Sequence, residues 1–281
     1  MGTYVRPTSL VHALQCRAAG AEILAGGTDF WPLRVGRPAY SSPNTTILDL
    51  SDLSDLRAIE TVDTTLRIGA MATWTDLAEA RLPSAFVALQ MAAREVGGRQ
   101  IQNRGTIGGN LCNASPAADG VPPLLILDAS IELSSVSGTR AVLLSEFLTA
   151  PRRTMLRPNE VLTAVLIPLR PENTHSHFIK LGARKYQLIS IVMGAGLLAV
   201  REGRVSRIAV AIGSCSPVAQ RLSALEHSMV GVRVDELATH VTADHLSNLT
   251  PIDDIRADAA YRRDTALVVV RRLLTALAGD A

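Results

Sequence analysis

Apolar positions along this chain come in short runs cut by glycine, proline, serine and aspartate, so most elements must be brief. Ala21 to Ala25, Thr45 to Leu50 and Leu66 to Ala70 are short segments in which apolar residues are interrupted by single polar ones, and they read as strands. Helical spacing lies between and after them. Thr8 or Ser9 can cap a short helix through about Arg17, a second helix starts near Thr73, and Ser84 can cap a third from Ala85 to Val96 that Gly97-Gly98 ends. Leu124 to Asp128 fits a helix or a buried strand, while Ile131 to Ser135 alternates like an exposed strand. Val161 to Ile167 is a strand set between Pro158 and Pro168, and a domain boundary falls near Pro171 to Asn173. Beyond it, Phe178 to Lys180, Ile189 to Val200 and Val205 to Ile212 read as three antiparallel strands. Gln220-Arg221 starts a helical pair, and Ala257 to Ala278 is a long last helix. This irregular alternation predicts an α+β fold rather than a doubly wound sheet.

Two glycine-rich turns carry the candidate chemistry: Leu24-Ala25-Gly26-Gly27-Thr28-Asp29, and Thr106-Ile107-Gly108-Gly109-Asn110, which runs on to Asn113-Ala-Ser-Pro-Ala-Ala-Asp119. Glycine reaches positive φ without a Cβ penalty and lets successive backbone N–H groups converge on phosphate oxygens. Thr28, Thr106 and Asn110 add short side-chain donors. One Gly-Gly pair is usually an ordinary turn, but two with matching chemistry suggest a split cradle for a diphosphate. Neither has the spacing of a dinucleotide-binding G-x-G-x-x-G or of a Walker loop.

At these residues, and again at Leu162 to Pro168, Lys180-Leu-Gly-Ala-Arg-Lys185 and the arginine-rich last helix, the chain resembles the FAD-binding medium subunits of the molybdenum hydroxylases. That family includes the medium subunit of carbon monoxide dehydrogenase and the flavin domain of xanthine dehydrogenase. The resemblance implies a two-lobed FAD-binding domain of the PCMH/vanillyl-alcohol-oxidase type at 1–171, with lobes 1–56 and 57–171. A smaller α+β domain, a three-stranded antiparallel sheet with helices, follows at 172–281. Leu24, Ala25, Gly26, Gly27, Thr28, Asp29 and Phe30 match the segment on the pyrophosphate and adenosine side. Thr106, Ile107, Gly108, Gly109 and Asn110 match the segment that holds the diphosphate and approaches the flavin. Asp119 matches a ligand of the ribityl chain, and Gly97, Gly98, Leu162, Lys180 and Leu188 match further flavin-contacting positions.

Residue chemistry leaves plainer readings open beside these. Asp119 can cap a helix starting at Gly120 or Val121, Lys180 can be a solvated charge, and Leu162 can be core. Trp31 and Trp74 read as packing residues and Cys112 as a buried, inert thiol. His175 and His177 share a strand face without a third metal ligand. One departure concerns the loop after Lys180: many relatives carry an acidic residue before the apolar position that covers one flavin face, where this chain has Tyr186-Gln187-Leu188. The cysteine-rich insertion of relatives that reduce aromatic-acid thioesters is absent.

The implied role is an electron-transfer subunit carrying FAD. A large partner subunit would hold a molybdenum-pterin centre and a small one two [2Fe-2S] clusters, in a dimer of heterotrimers, with the electron acceptor unassigned and no catalytic or metal-ligating residue on this chain. A self-contained FAD-dependent NAD(P)H oxidoreductase is one alternative, but it would need a proton donor after residue 172, where only Ser190 and Ser214 offer themselves. A non-enzymatic assembly module is another, and the four cradle glycines speak against it.

Composition narrows the field further. The 281 residues are 47% hydrophobic with a net charge of +2, and only Lys180 and Lys185 of the 28 basic residues are lysines. Aromatic residues are 4%, and no basic stripe is interleaved with them, so nucleic acid is not an expected partner. Cys16, Cys112 and Cys215 are too few and too scattered for a disulfide framework or a four-thiolate cluster. No apolar run reaches the roughly 20 residues of a membrane helix. The first residues lack an apolar leader core and Arg152-Arg153 lies too deep for a twin-arginine signal, so the cytoplasm is the expected address. The glycosylation-like matches at Asn44, Asn113 and Asn248 are then chance occurrences. On the last helix, Ala266 to Val270 with Leu273, Leu274 and Leu277 forms a wide apolar face that suits either core packing or partner docking.

Overall fold

A computed structural model describes residues 3–35, 45–184 and 188–280. Lys185, Tyr186 and Gln187 of the departing loop, and Asn44, lie outside the described residues. The first lobe is a parallel sheet of order β1-β3-β2, built from β1 (Tyr4–Val5), β2 (Glu22–Leu24) and β3 (Ile47–Asp49), with α1 (Leu10–Ala18) packed beside it. Ser9 caps α1 by accepting the His12 amide. Asp49, at the end of β3, accepts from the Tyr4 hydroxyl and from Ser51, which ties the sheet edge to the following turn.

The second lobe runs through β4 (Ile59–Val62), β5 (Thr65–Gly69), α2 (Trp74–Glu79), α3 (Val87–Glu95), α4 (Arg99–Gln102), α5 (Ile107–Asn113) and α6 (Val121–Ile126). It continues through β6 (Ser130–Ser135), β7 (Gly138–Leu143), α7 (Leu144–Phe147), β8 (Leu148–Ala150), β9 (Arg153–Thr154) and β10 (Val161–Pro168). Its sheet is antiparallel, in the order β4-β5-β10-β6-β7. The hairpin partner β4 escaped the sequence reading, because its Ile59-Glu-Thr-Val62 is half polar on an edge. The strand expected to be exposed, β6, instead lies between β10 and β7 and buries Ile131 and Leu133. Ser84 does not cap α3. Residues Ser84–Phe86 form a 3-10 turn, and the Ser84 hydroxyl donates to Thr174 O across to the next domain.

The C-terminal sheet, order β11-β12-β13-β14, contains β11 (Thr174–Leu181), β12 (Val192–Arg201), β13 (Arg204–Gly213) and β14 (Gln220–Arg221). Gln220-Arg221 thus adds a fourth, short strand rather than starting a helix, and α8 (Ser223–Met229) and α9 (Leu237–His240) follow it. One face of this sheet, with Phe178, Met193, Ala195, Leu197, Ala209 and Ala211, closes the core of the second lobe. The other face receives α10 (Ala259–Gly279). Covered on both sides, β12 reads as an unbroken apolar run instead of an alternating one. Its two glycines permit the helix to approach: a Cβ on Gly194 would lie 3.0 Å from Val269, and one on Gly196 2.7 Å from Leu277. The apolar face of α10 is therefore core. Ala266, Val269, Val270, Leu273, Leu274 and Leu277 are all buried against the sheet.

Candidate functional site

Strand β2 delivers Ala25 to Asp29 into the cleft between the lobes. Gly27 adopts φ +78°, and on the described residues the amides of Gly26, Gly27 and Thr28 donate to no protein acceptor. Gly26 is glycine for another reason: a Cβ there would sit 1.9 Å from the Arg104 carbonyl, so the two lobes touch through backbone at this point. Beyond the turn, Phe30 and Trp31 meet edge to face with centroids 5.0 Å apart. The Arg34 guanidinium lies 3.4 Å over the Phe30 ring and pairs with Glu22, forming a flat cationic platform at one end of the cleft.

The second glycine segment is not a turn but the opening of α5. Thr106 caps it by accepting the Gly109 amide at 3.0 Å. The Ile107 amide donates to Ala72 O and the Gly108 amide to Ala70 O, so both are consumed by the turn that follows β5. Gly108 is a packing glycine, because a Cβ would be 2.8 Å from Ala70. Gly109 faces the cleft, where a Cβ would meet only the Thr106 hydroxyl at 2.9 Å and Ala25 at 3.8 Å. Beside it, Asn110 Oδ1 is buried with no hydrogen-bond partner.

At the other end, Ala114 in the left-handed conformation stops α5 and sends Ser115 to Asp119 back along the cleft. Asp119 is not a helix cap, and α6 starts after Gly120 without a side-chain cap. Its carboxylate accepts from Lys180 Nζ at 2.6 Å and from the Ser190 hydroxyl at 2.7 Å. Nor is Lys180 a solvated charge: its side chain is 4% exposed and also donates to Glu95 O at 2.9 Å. Burial pushes the Asp119 carboxyl above the usual range, against the pull of Lys180 and Ser190. Leu188 covers Gly182 so closely that a Cβ there would lie 1.8 Å from it.

These parts line two adjoining cavities of about 470 and 670 Å³ that share Asp29, Val96, Ile101, Asn110 and Asn113. Of the residues singled out by sequence, Ala25 to Phe30, Thr106, Gly108, Gly109, Asn110 and Leu162 line the first. Gly97, Gly98, Asp119 and Leu188 line the second. Leu24, Ile107 and Lys180 do not line the cleft and stand behind residues that do. β10 shifts register against β6 between Leu162 and Ala164, and just before this bulge Val161 and Leu162 both border the cleft, Val161 packing into the first lobe's core and Leu162 into that of the second. Cys112, expected buried, is solvent-accessible from the cleft.

Sequence reasoning missed Arg17 as part of the site, and it named Ser190 only as a proton donor for the alternative oxidoreductase reading. Arg17 donates to Ala21 O and Glu160 O under the first glycine turn. Ser190 is placed by its nearness to Leu188 in the sequence, a signal that was readable. His177 faces Asp280 at 3.7 Å, and among the described residues no group of side chains is arranged to hold a metal. Trp74 is buried core, as expected, whereas Trp31 is exposed beside Gly27. No helix among the described residues is long and apolar enough to cross a membrane.

Two family models match the chain. The FAD binding domain in molybdopterin dehydrogenase matches residues 1–170, and the CO dehydrogenase flavoprotein C-terminal domain matches residues 177–277. The nicotinate dehydrogenase FAD-subunit of Eubacterium barkeri is 36% identical over 197 residues, 69% of this chain and 66% of that one. The xanthine dehydrogenase FAD-binding subunit of Escherichia coli O157:H7 is 29% identical over 97% of this chain and 94% of its own length. A chain of the reconstituted CO dehydrogenase from Oligotropha carboxidovorans superposes with a TM-score of 0.91 at 26% identity, covering 100% of this chain and 99% of that one.

Proposed function

Because this chain belongs to the FAD-binding subunits of the molybdenum hydroxylase family, a family of oxidoreductases, we propose that it passes electrons from [2Fe-2S] clusters on a partner subunit through FAD to an external acceptor. The observation that carries this reading is the convergence on one cleft of the free amides of Gly26 to Thr28, the orphaned Asn110 Oδ1 and the Asp119 carboxylate. A dinucleotide has matching groups: phosphate oxygens for the amides and hydroxyls for the two acceptors. FAD, when bound, supplies the redox chemistry.

The residues of this chain bind and orient. Ala25 to Phe30 take the pyrophosphate and adenosine side, and Thr106, Gly108, Gly109 and Asn110 hold the diphosphate and approach the flavin, with Leu24 and Ile107 supporting them from the core. Asp119 accepts from the ribityl chain, and Gly97, Gly98, Leu162 and Leu188 border the flavin, with Lys180 holding Asp119. Residues 1–171 form the FAD-binding domain, with lobes 1–56 and 57–171, and 172–281 the C-terminal domain. The reading includes a large molybdenum-pterin subunit and a small [2Fe-2S] subunit, in a dimer of heterotrimers. A cytoplasmic address suits three unpaired cysteines.

The test is the visible spectrum of the purified chain, with mass identification of any chromophore released on heating. FAD at about one equivalent is expected for a built dinucleotide site. A colourless protein that refuses added FAD overturns the reading, and sustained NAD(P)H-dependent reduction of a small-molecule substrate without partners redirects it to a self-contained oxidoreductase.

A further inference from the structure

Arg262, one turn into α10, is a buried cation in a place that disfavours one. It is 2% exposed, and the first turn of a helix repels positive charge. Its Nη1 donates to Ile191 O at 2.6 Å and to Ser214 O at 3.1 Å, and its Nη2 to Asp254 Oδ1 at 2.7 Å. Burial by itself would raise Asp254. The Arg256 amide and the Arg256 and Arg262 guanidinium groups hold it at about 2 instead, so a full negative charge faces Arg262. Farther along the same helix the buried side chains are apolar, Leu273 and Leu277 among them.

We infer that Arg262 is a positioning residue for the Asp119 end of the cleft, acting through the two carbonyls it grips. Ile191 follows Ser190, whose hydroxyl donates to Asp119 Oδ1, and the Ile191 amide returns to Leu181 O beside Lys180. Ser214 is held at φ +64° and donates its amide to Pro116 O, in the loop that carries Asp119. One guanidinium thereby ties two separate connections to the Asp119 loop, β11 to β12 at the carboxylate itself and β13 to β14 at the Pro116 carbonyl. A planar fork with several fixed donors can bridge two carbonyls and a carboxylate, and a lysine ammonium reproduces this only in part. The spectral arm of the test rests on the flavin reading, while the exchange arm does not.

The experiment compares Arg262→Met, Arg262→Lys and Leu277→Ala in the full chain, by hydrogen exchange of peptides covering 114–119 and 188–191 and by visible circular dichroism of bound FAD. Arg262→Met should speed exchange in both peptides by about tenfold, as expected for a local opening, and should shift the flavin bands. Arg262→Lys should recover part of both effects. Leu277→Ala, which weakens the other end of the same helix, should leave both peptides and the flavin bands unchanged while lowering Tm. If Arg262→Met does not accumulate folded, Arg262→Lys alone should show an increase of about threefold in the two peptides. Faster exchange confined to residues 254–266, or the same pattern in Leu277→Ala, overturns the inference. A wild-type chain that takes up no FAD overturns the proposed function instead, and the exchange comparison still decides the role of Arg262.

Discussion

Asp119 and Lys180 form a buried pair whose members need each other. Lys180→Met leaves a largely buried carboxylate at the cavity wall without its cation, and breaking such a buried pair costs about 3–5 kcal/mol. The pH dependence follows from the direction of the shift. Burial already raises Asp119 in the folded state, and loss of the ammonium raises it further. A carboxyl with a raised folded pKa favours folding in acid and loses that advantage as pH rises through the folded value. The deficit of Lys180→Met against the wild type should therefore be smallest in acid and grow toward neutral pH, as measured by denaturant midpoints across that range. Both residues stood out in the sequence, but as separate flavin contacts. Their mutual contact was hidden because 61 residues separate them and only the tertiary packing of β11 brings them together.

At the scale of elements, the glycine segments show what a sequence pattern carries and what it conceals. Both were legible as unusual backbone, yet the four glycines serve different ends. Gly27 adopts positive φ, Gly26 and Gly108 let neighbouring backbone and Cβ atoms pass, and Gly109 faces the cleft, where an added Cβ would press only on the capping Thr106 hydroxyl. Gly26→Ala forces a Cβ into the Arg104 carbonyl and should cost about 1–3 kcal/mol, as overpacking does. Gly109→Ala should change stability by no more than about 1 kcal/mol, since alanine's helix preference offsets its pressure on the capping Thr106 hydroxyl, while at least halving FAD retained after gel filtration. Thermal unfolding and flavin absorbance measured on both variants separate the two roles. The main strands and the first and last helices were readable from apolar spacing and caps. β4, β7 and β14 were not, because each is a sheet edge with a weak apolar pattern and depends on one neighbouring strand for its hydrogen bonds.

Over the whole molecule, the two domains are joined by charge as well as by apolar contact. Asp128, in the left-handed conformation after α6, accepts from Arg170 at 2.7 Å, Arg207 at 2.7 Å and Arg221 at 2.9 Å, the last two from the C-terminal sheet. Asp128→Asn keeps a side chain that tolerates positive φ but removes the charge from among three guanidinium groups. It should lower stability by about 1–2 kcal/mol, with the loss shrinking in 1 M salt because the carboxylate is partly exposed, and paired thermal melts at low and high salt check it. The Asp119 end of the cleft depends on the same union of domains, and this bears on how the protein is made. Asp119 leaves the ribosome first, Lys180 and Ser190 well after it, and Arg262 later still, since chains emerge from the N-terminus at about 5–20 residues per second. The nascent first domain thus displays an unfinished acidic end, and on the inferred role of Arg262 that end is complete only once α10 has been synthesised and docked.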